Sequence, residues 1–220
     1  MREYKFAYLG GIGEITEKKS RFIATVEPVH SEEEALAFIE KTKKQYWDAR
    51  HNCTAFTIGP RHQLTRCSDD GEPAGTAGRP MLEVLLGEDV HDVAVVVTRY
   101  FGGTLLGTGG LVRAYSKAVQ EGLRHATILD RYEAVRLHIH TDYNGIGKIQ
   151  YLLAQNGIAI LNSSYTDSVS LEALVPCDFL DTLTSAVTEG TSGQAVLIPG
   201  DTCGYALLNG EILLFEEDSK

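Results

Sequence analysis

The chain has 220 residues, of which 43% are apolar, so it can bury one large or two ordinary hydrophobic cores. No stretch approaches the roughly 18 consecutive apolar residues of a membrane span, and residues 1–13 lack the apolar run of a secretory signal. We therefore expect a cytoplasmic protein with no membrane partner. Cysteines 53, 67, 177 and 203 form no C-x-x-C pair, and we expect them to be reduced.

The net charge of −10 is unevenly distributed along the chain. Residues 1–132 carry 17 Lys and Arg against 18 Asp and Glu, whereas residues 133–220 carry 3 against 12. A nucleic-acid surface needs clustered cations, so any contact with RNA is expected in the first half of the chain. The acidic second half suits a basic protein as partner instead.

The first half of the chain predicts alternating strands and helices. Ser31 and Glu34 have the capping-box spacing that opens a helix. Residues 93–97 are apolar without alternation, which is typical of a strand buried on both faces. In chain order, the predicted elements are a strand (13–29), a helix with Leu36, Ile39, Tyr46 and Trp47 on its apolar face, a hairpin (52–58 and 63–67), a short helix (77–86), a strand (92–100) and a helix (110–125) that carries an apolar stripe.

A domain boundary is predicted near residue 132, which divides the chain into domains 1–132 and 133–220. The second half predicts the order β-α-β-β-α-β, which is the ferredoxin-like arrangement. Its predicted elements are a strand (135–141), a helix (145–156), two strands (158–163 and 168–175), a helix (178–189) and a final strand or hairpin (194–199 and 204–215). The predicted fold class is therefore α+β, in two domains.

The segment from Arg99 to Arg113 is the strongest functional motif. It holds five glycines within nine positions, between a buried strand and a helix, so several backbone N–H groups are free to point at one anion at the positive helix end. The two arginines would add charge-assisted hydrogen bonds. The predicted anion site comprises Arg99, Gly102, Gly103, Gly107, Thr108, Gly109, Gly110 and Arg113. The alternative is a tight packing turn with solvated arginines.

An acidic loop precedes the short helix and contains Asp69, Asp70 and Glu72, with Arg79 a few residues further on. Three carboxylates in four residues suit Mg²⁺ or acid–base chemistry. The alternative is a turn and cap arrangement, in which Thr76 or Asp70 satisfies backbone donors ahead of the helix. No other cofactor is indicated and no catalytic residue is assigned. Two further pairs, His51 with Cys53 and His138 with His140, share strand faces but lack a third ligand.

These motifs resemble the IMPACT/YigZ family. The matching strings are Lys19-Ser20-Arg21-Phe22, Arg50-His51-Asn52-Cys53, residues 68–78 and, above all, residues 99–115. The resemblance implies that residues 1–132 share the fold of a small-subunit ribosomal protein and of domain IV of elongation factor G, and that the second domain resembles ferredoxin-like domains of the same factor. Eukaryotic relatives act as translation regulators.

Three functions remain open on the sequence. The first is a translation-associated regulatory or binding protein that holds phosphate groups of RNA, or of a ribosome-associated partner, at the glycine-rich turn. The second is an Mg²⁺-dependent enzyme or sensor of a phosphorylated small molecule. The third is a protein–protein adaptor with a purely structural turn, in which Gly109→Ala would damage folding whereas Arg99→Ala and Arg113→Ala would change nothing. The sequence favours a binding protein over an enzyme.

Overall fold

The computed structural model describes residues 2–215 of the chain. It is a mixed α+β protein with five α-helices and two β-sheets, as predicted. The chain divides into two compact units, one of residues 4–130 and one of residues from 131 onwards together with Glu3. We call them the first and the second unit. Among the described residues, no helix combines the length and the apolar character needed to cross a bilayer.

The first unit is built on a five-stranded antiparallel sheet. Its elements are β1 (Arg2–Leu9), β2 (Gly11–Glu17), β3 (Ser20–Pro28), α1 (Glu32–Gln45), β4 (His51–Ile58), β5 (Leu64–Ser68), α2 (Gly78–Gly87), β6 (Val90–His91), β7 (Val93–Tyr100) and α3 (Thr108–His125). The sheet order is β2-β3-β7-β4-β5, and β1 pairs in parallel with the short β6. The sequence analysis did not predict β1.

The central strand β7 is buried on both faces, as its unbroken apolar run predicts. Val95 and Val97 pack with residues of α2 and α3, whereas Ala94 and Val96 pack with residues of α1. The apolar stripe predicted for helix 110–125 is also confirmed. All of its predicted members are buried in α3, namely Leu111, Tyr115, Ala118, Val119 and Gly122. Position 99, two residues after Val97, therefore faces the layer formed by α2 and α3.

Two local predictions for the first unit are wrong. Residues 13–29 are not one strand but a β2–β3 hairpin, whose turn places Lys18 and Lys19 at φ of 46° and 67°. The Lys-Lys pair lacks the Asn or Gly that usually marks such a turn. Ser31 caps α1, but Leu36 within the helix and Trp47 after its end are 51% and 82% exposed. Ile39 is buried as predicted, and the other buried positions of the helix are Ala35, Phe38 and Thr42.

The second unit has the predicted β-α-β-β-α-β order, and of the two alternatives predicted for its end, a strand or a hairpin, it has the hairpin. Its elements are β8 (Thr127–Thr141), α4 (Ile146–Gln155), β9 (Ala159–Tyr165), β10 (Val169–Pro176), α5 (Leu180–Gly190), β11 (Val196–Leu208) and β12 (Glu211–Phe215). The strands of this unit are antiparallel to their neighbours, in the order β9-β10-β8-β11-β12. The last hairpin turns at Asn209 and Gly210, both at positive φ.

Candidate functional site

Arg99, predicted to bind an anion, is instead buried in an internal ion pair. Its Nη1 lies 2.6 Å from Oε1 of Glu72, and the two side chains are only 7% and 4% exposed. The rings of Phe22 and Phe101 flank the guanidinium, at 5.4 and 5.7 Å from Cζ to the ring centroids. The reason is position, because the end of β7 turns residue 99 towards α3 and the loop before α2. Arg99 and Glu72 thus neutralise each other's charge. Neither side chain is exposed to a ligand in solvent.

A buried hydrogen-bond network extends from this pair. The hydroxyl of Tyr115, which is fully buried on α3, donates to Oε1 of Glu72 at 2.9 Å. The Tyr115 oxygen lies 3.3 Å from Sγ of Cys53, and Cys53 donates to the carbonyl of Asp69 at 2.9 Å. Burial raises the pKa of the Cys53 thiol to about 12 and also raises the pKa of Tyr115 well above its usual range. Both groups are therefore neutral and inert at physiological pH.

Asp69 caps the start of α2 instead of offering its carboxylate to a metal. Its Oδ1 accepts from the amides of Ala77 and Gly78 at 3.0 and 2.9 Å, and its Oδ2 accepts from Gly75 at 2.8 Å. Burial opposes ionisation of this carboxyl, but the three hydrogen bonds outweigh burial and lower the pKa of Asp69. The cap predicted for this loop is thus present, although Asp69 provides it and not Thr76 or Asp70.

Asp70 is engaged elsewhere, so the three loop carboxylates do not converge on one point. Its Oδ2 accepts from the amide of Asn52 at 2.7 Å, and its Oδ1 accepts from Nζ of Lys43 at 3.0 Å. Arg79 points to solvent and pairs with Glu83 on its own helix. Within the described structure, the carboxylate oxygens of Asp69, Asp70 and Glu72 do not all lie close enough together to bind one ion. The three carboxylates that the sequence suggested for Mg²⁺ therefore have separate partners.

The glycines of the turn from Arg99 to Arg113 have different roles. Gly103 and Gly107 have φ of 86° and 73°, which other residues adopt only with strain. A Cβ at Gly102 would lie 2.0 Å from the carbonyl carbon of Lys19, so this position needs close packing. The amide of Gly102 also donates to Oγ of Ser20. These three glycines are explained by the backbone of the turn.

Gly109 has neither a special backbone conformation nor a close neighbour. A Cβ built at this position meets only Nη1 of Arg113, at 3.7 Å. Glycine inside a helix costs about 0.5–1 kcal/mol relative to alanine, yet the fold does not require it here. The open space at Gly109 lies at the start of α3, beside the second arginine of the motif.

The first turn of α3 carries backbone donors that lack partners. Gly107 precedes the helix without a side-chain cap, and the first bond of the helix runs from the Leu111 amide to the Gly107 carbonyl. Within residues 2–215, the amides of Thr108, Gly109 and Gly110 have no acceptor. These amides carry the partial positive charge of the helix start, which favours an anion.

A small pocket of about 180 Å³ opens beside this helix start, and we call it the glycine-turn pocket. Three of the residues that line it are cations, namely Lys18 in the β2–β3 turn and Arg113 and Lys117 on α3. Arg113 and Lys117 are four residues apart and therefore share a helix face. No ion pair involves these three cations in the described part of the chain. The complete lining is Glu17, Lys18, Leu106, Gly110, Arg113, Ala114 and Lys117.

The structure therefore separates the predicted anion site into two parts. Gly110 and Arg113 line the pocket, with Thr108 and Gly109 at the adjacent helix start, whereas Arg99 and the Gly102 amide face internal partners. The sequence analysis missed Lys18 and Lys117. Lys117 could have been found from its spacing of four residues from Arg113, but no local pattern connects Lys18 with α3.

Comparisons with known proteins match both halves of the chain. The protein-family model described as "Impact N-terminal domain" matches residues 18–123. A second family model, "Domain of unknown function (DUF1949)", matches residues 139–194. Protein IMPACT-A of Xenopus tropicalis is 38% identical over 98 residues, which are 42% of this chain and 30% of that protein. A solved structure described as "Crystal structure of an hypothetical protein" has 35% identity and a TM-score of 0.57, covering 91% of this chain and 98% of its own.

A bacterial relative matches nearly the whole chain. IMPACT family member YvyE of Bacillus subtilis (strain 168) is 42% identical over 191 residues, which are 87% of this chain and 88% of YvyE. The match extends through both units, including the strand-to-helix turn and the acidic loop described above. The chain therefore belongs to the IMPACT family.

Proposed function

We propose that this protein is a translation-associated regulatory protein whose first unit binds phosphate groups of RNA at the glycine-turn pocket. The observation that carries the proposal is that three cations without an ion pair to any described residue line a pocket beside the uncapped start of α3. Amides at a helix start bind phosphate well, and Arg113 can add two parallel hydrogen bonds. Membership of the IMPACT family, which includes eukaryotic members, is consistent with a role in translation.

The size of the pocket favours a phosphate group of a large ligand over a whole small molecule. Its volume of about 180 Å³ is below the roughly 300–1,000 Å³ of enclosed small-molecule sites. The second function open on the sequence, an Mg²⁺-dependent enzyme or sensor, also lacks its expected carboxylate group. A phosphate of an RNA backbone can enter the pocket while the rest of the strand remains outside.

Exposed apolar side chains near the turn add to this interpretation. Phe101 and Leu105 are 50% and 82% exposed, and both belong to the loop that leads into α3. Proteins that bind single-stranded nucleic acid combine a basic groove with aromatic side chains on which bases stack. We propose that Phe101 provides such a stacking surface next to the phosphate contact.

We extend the proposal to fold, location and a second partner. The antiparallel order β9-β10-β8-β11, with one helix after β8 and one after β10, supports a ferredoxin-like assignment for residues 133–220. The resemblance supports the fold of a small-subunit ribosomal protein and of elongation factor G domain IV for residues 1–132. We further propose a cytoplasmic location, and a basic, ribosome-associated protein as the partner of the acidic second domain.

The test measures RNA affinity as a function of salt for the wild type and Arg113→Ala. Fluorescence anisotropy with a labelled single-stranded RNA should give an affinity that falls steeply with salt, because binding releases counterions. Arg113→Ala should weaken binding and reduce the slope of log K against log salt by about 0.7, the value for one phosphate on a single strand. Lys117→Ala should act in the same direction.

Arg124→Ala is the matched control, because it removes the same charge from the other end of α3. Arg124 is 76% exposed at its side chain and pairs only with Glu121 in the described structure. This variant should retain the wild-type affinity. The proposal fails if RNA and ribosomal particles do not bind even at low salt, or if Arg124→Ala and Arg113→Ala weaken binding equally.

A further inference from the structure

Two histidines and an aspartate meet at the end of β4 that lies away from the glycine-rich turn. Nε2 of His91 lies 3.1 Å from Oδ1 of Asp89, and Nε2 of His62 lies 3.7 Å from the same oxygen. The ligand atoms of all three residues are within 4.8 Å of one another. Among the described residues, this is the one group of three or more His, Cys, Asp or Glu with such spacing.

Each imidazole also makes a hydrogen bond at its other ring nitrogen, to a backbone carbonyl for His91 and to a rotatable hydroxyl for His62. Nδ1 of His91 lies 2.9 Å from the carbonyl of Gly59, which can only accept, so this nitrogen carries a hydrogen. Nδ1 of His62 lies 2.6 Å from Oγ1 of Thr57. Metal-binding histidines usually have one ring nitrogen held in this way, which directs the other towards the metal.

The arrangement leaves two acceptors facing each other. In the neutral tautomer set by Gly59, Nε2 of His91 presents a lone pair to a carboxylate oxygen of Asp89 at 3.1 Å. A positive species between them is required to make the contact favourable. A proton would satisfy His91 and Asp89 alone, whereas a metal ion would satisfy both of them and also Nε2 of His62.

The chemistry of the three ligands selects a class of metal. Imidazole nitrogen suits Zn²⁺, Cu²⁺ and Ni²⁺, whereas Mg²⁺ and Ca²⁺ prefer sites made of oxygen. For bonds of about 2.0–2.2 Å in a tetrahedral zinc site, ligand atoms lie about 3.3–3.6 Å apart. The separations of 3.1 and 3.7 Å to Asp89 bracket this range. We propose that His62, Asp89 and His91 form a binding site for one divalent transition-metal ion such as Zn²⁺.

Binding requires one local adjustment. The two imidazole rings are stacked, with centroids 3.7 Å apart and planes inclined by 15°, and a common ion needs both planes to converge on it. His91 is held in the interior at 3% side-chain exposure, so the ring of His62, at 20%, makes this rotation. The side chain of Asp89 is 48% exposed, which leaves room for water as a fourth ligand. The ion would join the loop after β4 to the end of α2 and to β6.

The test is isothermal titration of Zn²⁺ into the full chain, with Co²⁺ absorption as a second readout of coordination. The exposed Cys67 and Cys177 would bind the metal themselves, so all proteins carry Cys67→Ser and Cys177→Ser. We expect one ion per chain and a tetrahedral Co²⁺ spectrum. His62→Asn and Asp89→Asn should each weaken Zn²⁺ binding by at least about 10–100-fold, the size of effect seen for groups that merely support a metal ligand.

Asparagine is the chosen replacement because His62 and Asp89 have φ of 51° and 55°, which asparagine tolerates. Circular dichroism would verify that both variants are folded. His125→Ala is the matched control, because His125 is an exposed histidine beside Glu121 and should leave the affinity within twofold. The proposal is overturned if the parent protein does not bind Zn²⁺ one to one, or if the two asparagine variants bind as tightly as the parent.

Discussion

The two arginines that bound the glycine-rich turn have opposite environments. Arg99 lies one residue before the end of the buried strand β7 and is enclosed with Glu72, whereas Arg113 lies on the outer face of α3 without an ion pair in the described chain. A charge in the interior requires a partner, because the low dielectric makes an isolated ion very unfavourable. The comparison teaches that burial decides which arginine of a motif remains available to a ligand. Arg99 therefore stabilises the first unit, whereas Arg113 is the arginine that we propose to bind phosphate.

The sharpest way to break this comparison is to remove the partner of the buried arginine. Glu72→Ala leaves the Arg99 charge buried and also removes the acceptor of the Tyr115 hydroxyl. We expect a loss of about 3–5 kcal/mol in the free energy of unfolding, as for other broken buried pairs. Urea unfolding followed by circular dichroism would measure it.

Arg113→Ala is the control for this experiment, since an exposed substitution should change stability by no more than about 0.5 kcal/mol. Glu72→Gln keeps an acceptor oxygen and should lose less than Glu72→Ala. A loss below about 1 kcal/mol for Glu72→Ala would contradict the described role of the pair, because broken buried pairs cost several times more.

The turn itself could be predicted from the sequence, but the partner of Arg99 could not. Five glycines after an apolar strand and before a helical period are local patterns, and each element was found within two residues of its observed bounds. Glu72 is 27 residues from Arg99 and reaches it only because β5 pairs with β4, and β4 with β7. Contacts across a sheet depend on register, which local patterns do not contain.

The cap of α2 and the histidine group illustrate the same limit. The sequence analysis expected a cap and named Thr76 or Asp70, but the loop folds back so that Asp69 reaches three amides six to nine residues later. His62 and His91 were not noticed, because they are 29 positions apart and meet through the pairing of β4 with β7, which sets Thr57 opposite Val93, and through the loop after β4. The histidine pairs that local spacing did suggest lack a third ligand in the described residues.

A smaller loss of stability is expected when the acidic loop is disconnected from α2. Asp69→Ala removes the acceptor of the three amides at Gly75, Ala77 and Gly78. Because the loss of an ordinary helix cap costs about 0.5–2 kcal/mol, we expect a value near 2 kcal/mol in urea unfolding. Arg79→Ala is the control on the same helix, and because its pair with Glu83 is exposed to solvent, it should change the free energy of unfolding much less. Equal losses for both variants would refute the cap.

Alkaline pH should weaken the buried network without any substitution. The folded protein holds the proton of Cys53 more tightly than the unfolded chain, because burial raises its pKa from 9.0 to about 12. Stability from this group is therefore complete well below pH 9 and is lost as pH rises towards 12, by at most about 1.4 kcal/mol per pH unit. Thermal unfolding between pH 8 and 10.5 would measure the slope. Cys53→Ala should reduce that slope, and an unchanged slope would count against the buried neutral thiol.

The smallest effect on stability, and the most informative one for binding, is expected from Gly109→Ala. The added methyl group contacts only the Arg113 guanidinium, at 3.7 Å. The free energy of unfolding should therefore be unchanged or higher by up to about 1 kcal/mol. This differs from the sequence-based expectation that a structural turn would be damaged. Gly102→Ala is the matched control, and it should unfold more easily because its Cβ would lie 2.0 Å from the Lys19 backbone.

RNA affinity of Gly109→Ala, measured by the anisotropy assay, then separates the two interpretations of the turn. If a phosphate approaches the first amides of α3, the methyl group occupies part of its space and affinity falls about tenfold, since 1.4 kcal/mol of lost contact corresponds to that factor. If the variant is as stable as the wild type and binds RNA equally well, the helix start does not contact phosphate. Glycine at this position would then have no role in binding, and the basic side chains of the pocket alone would remain to attract RNA.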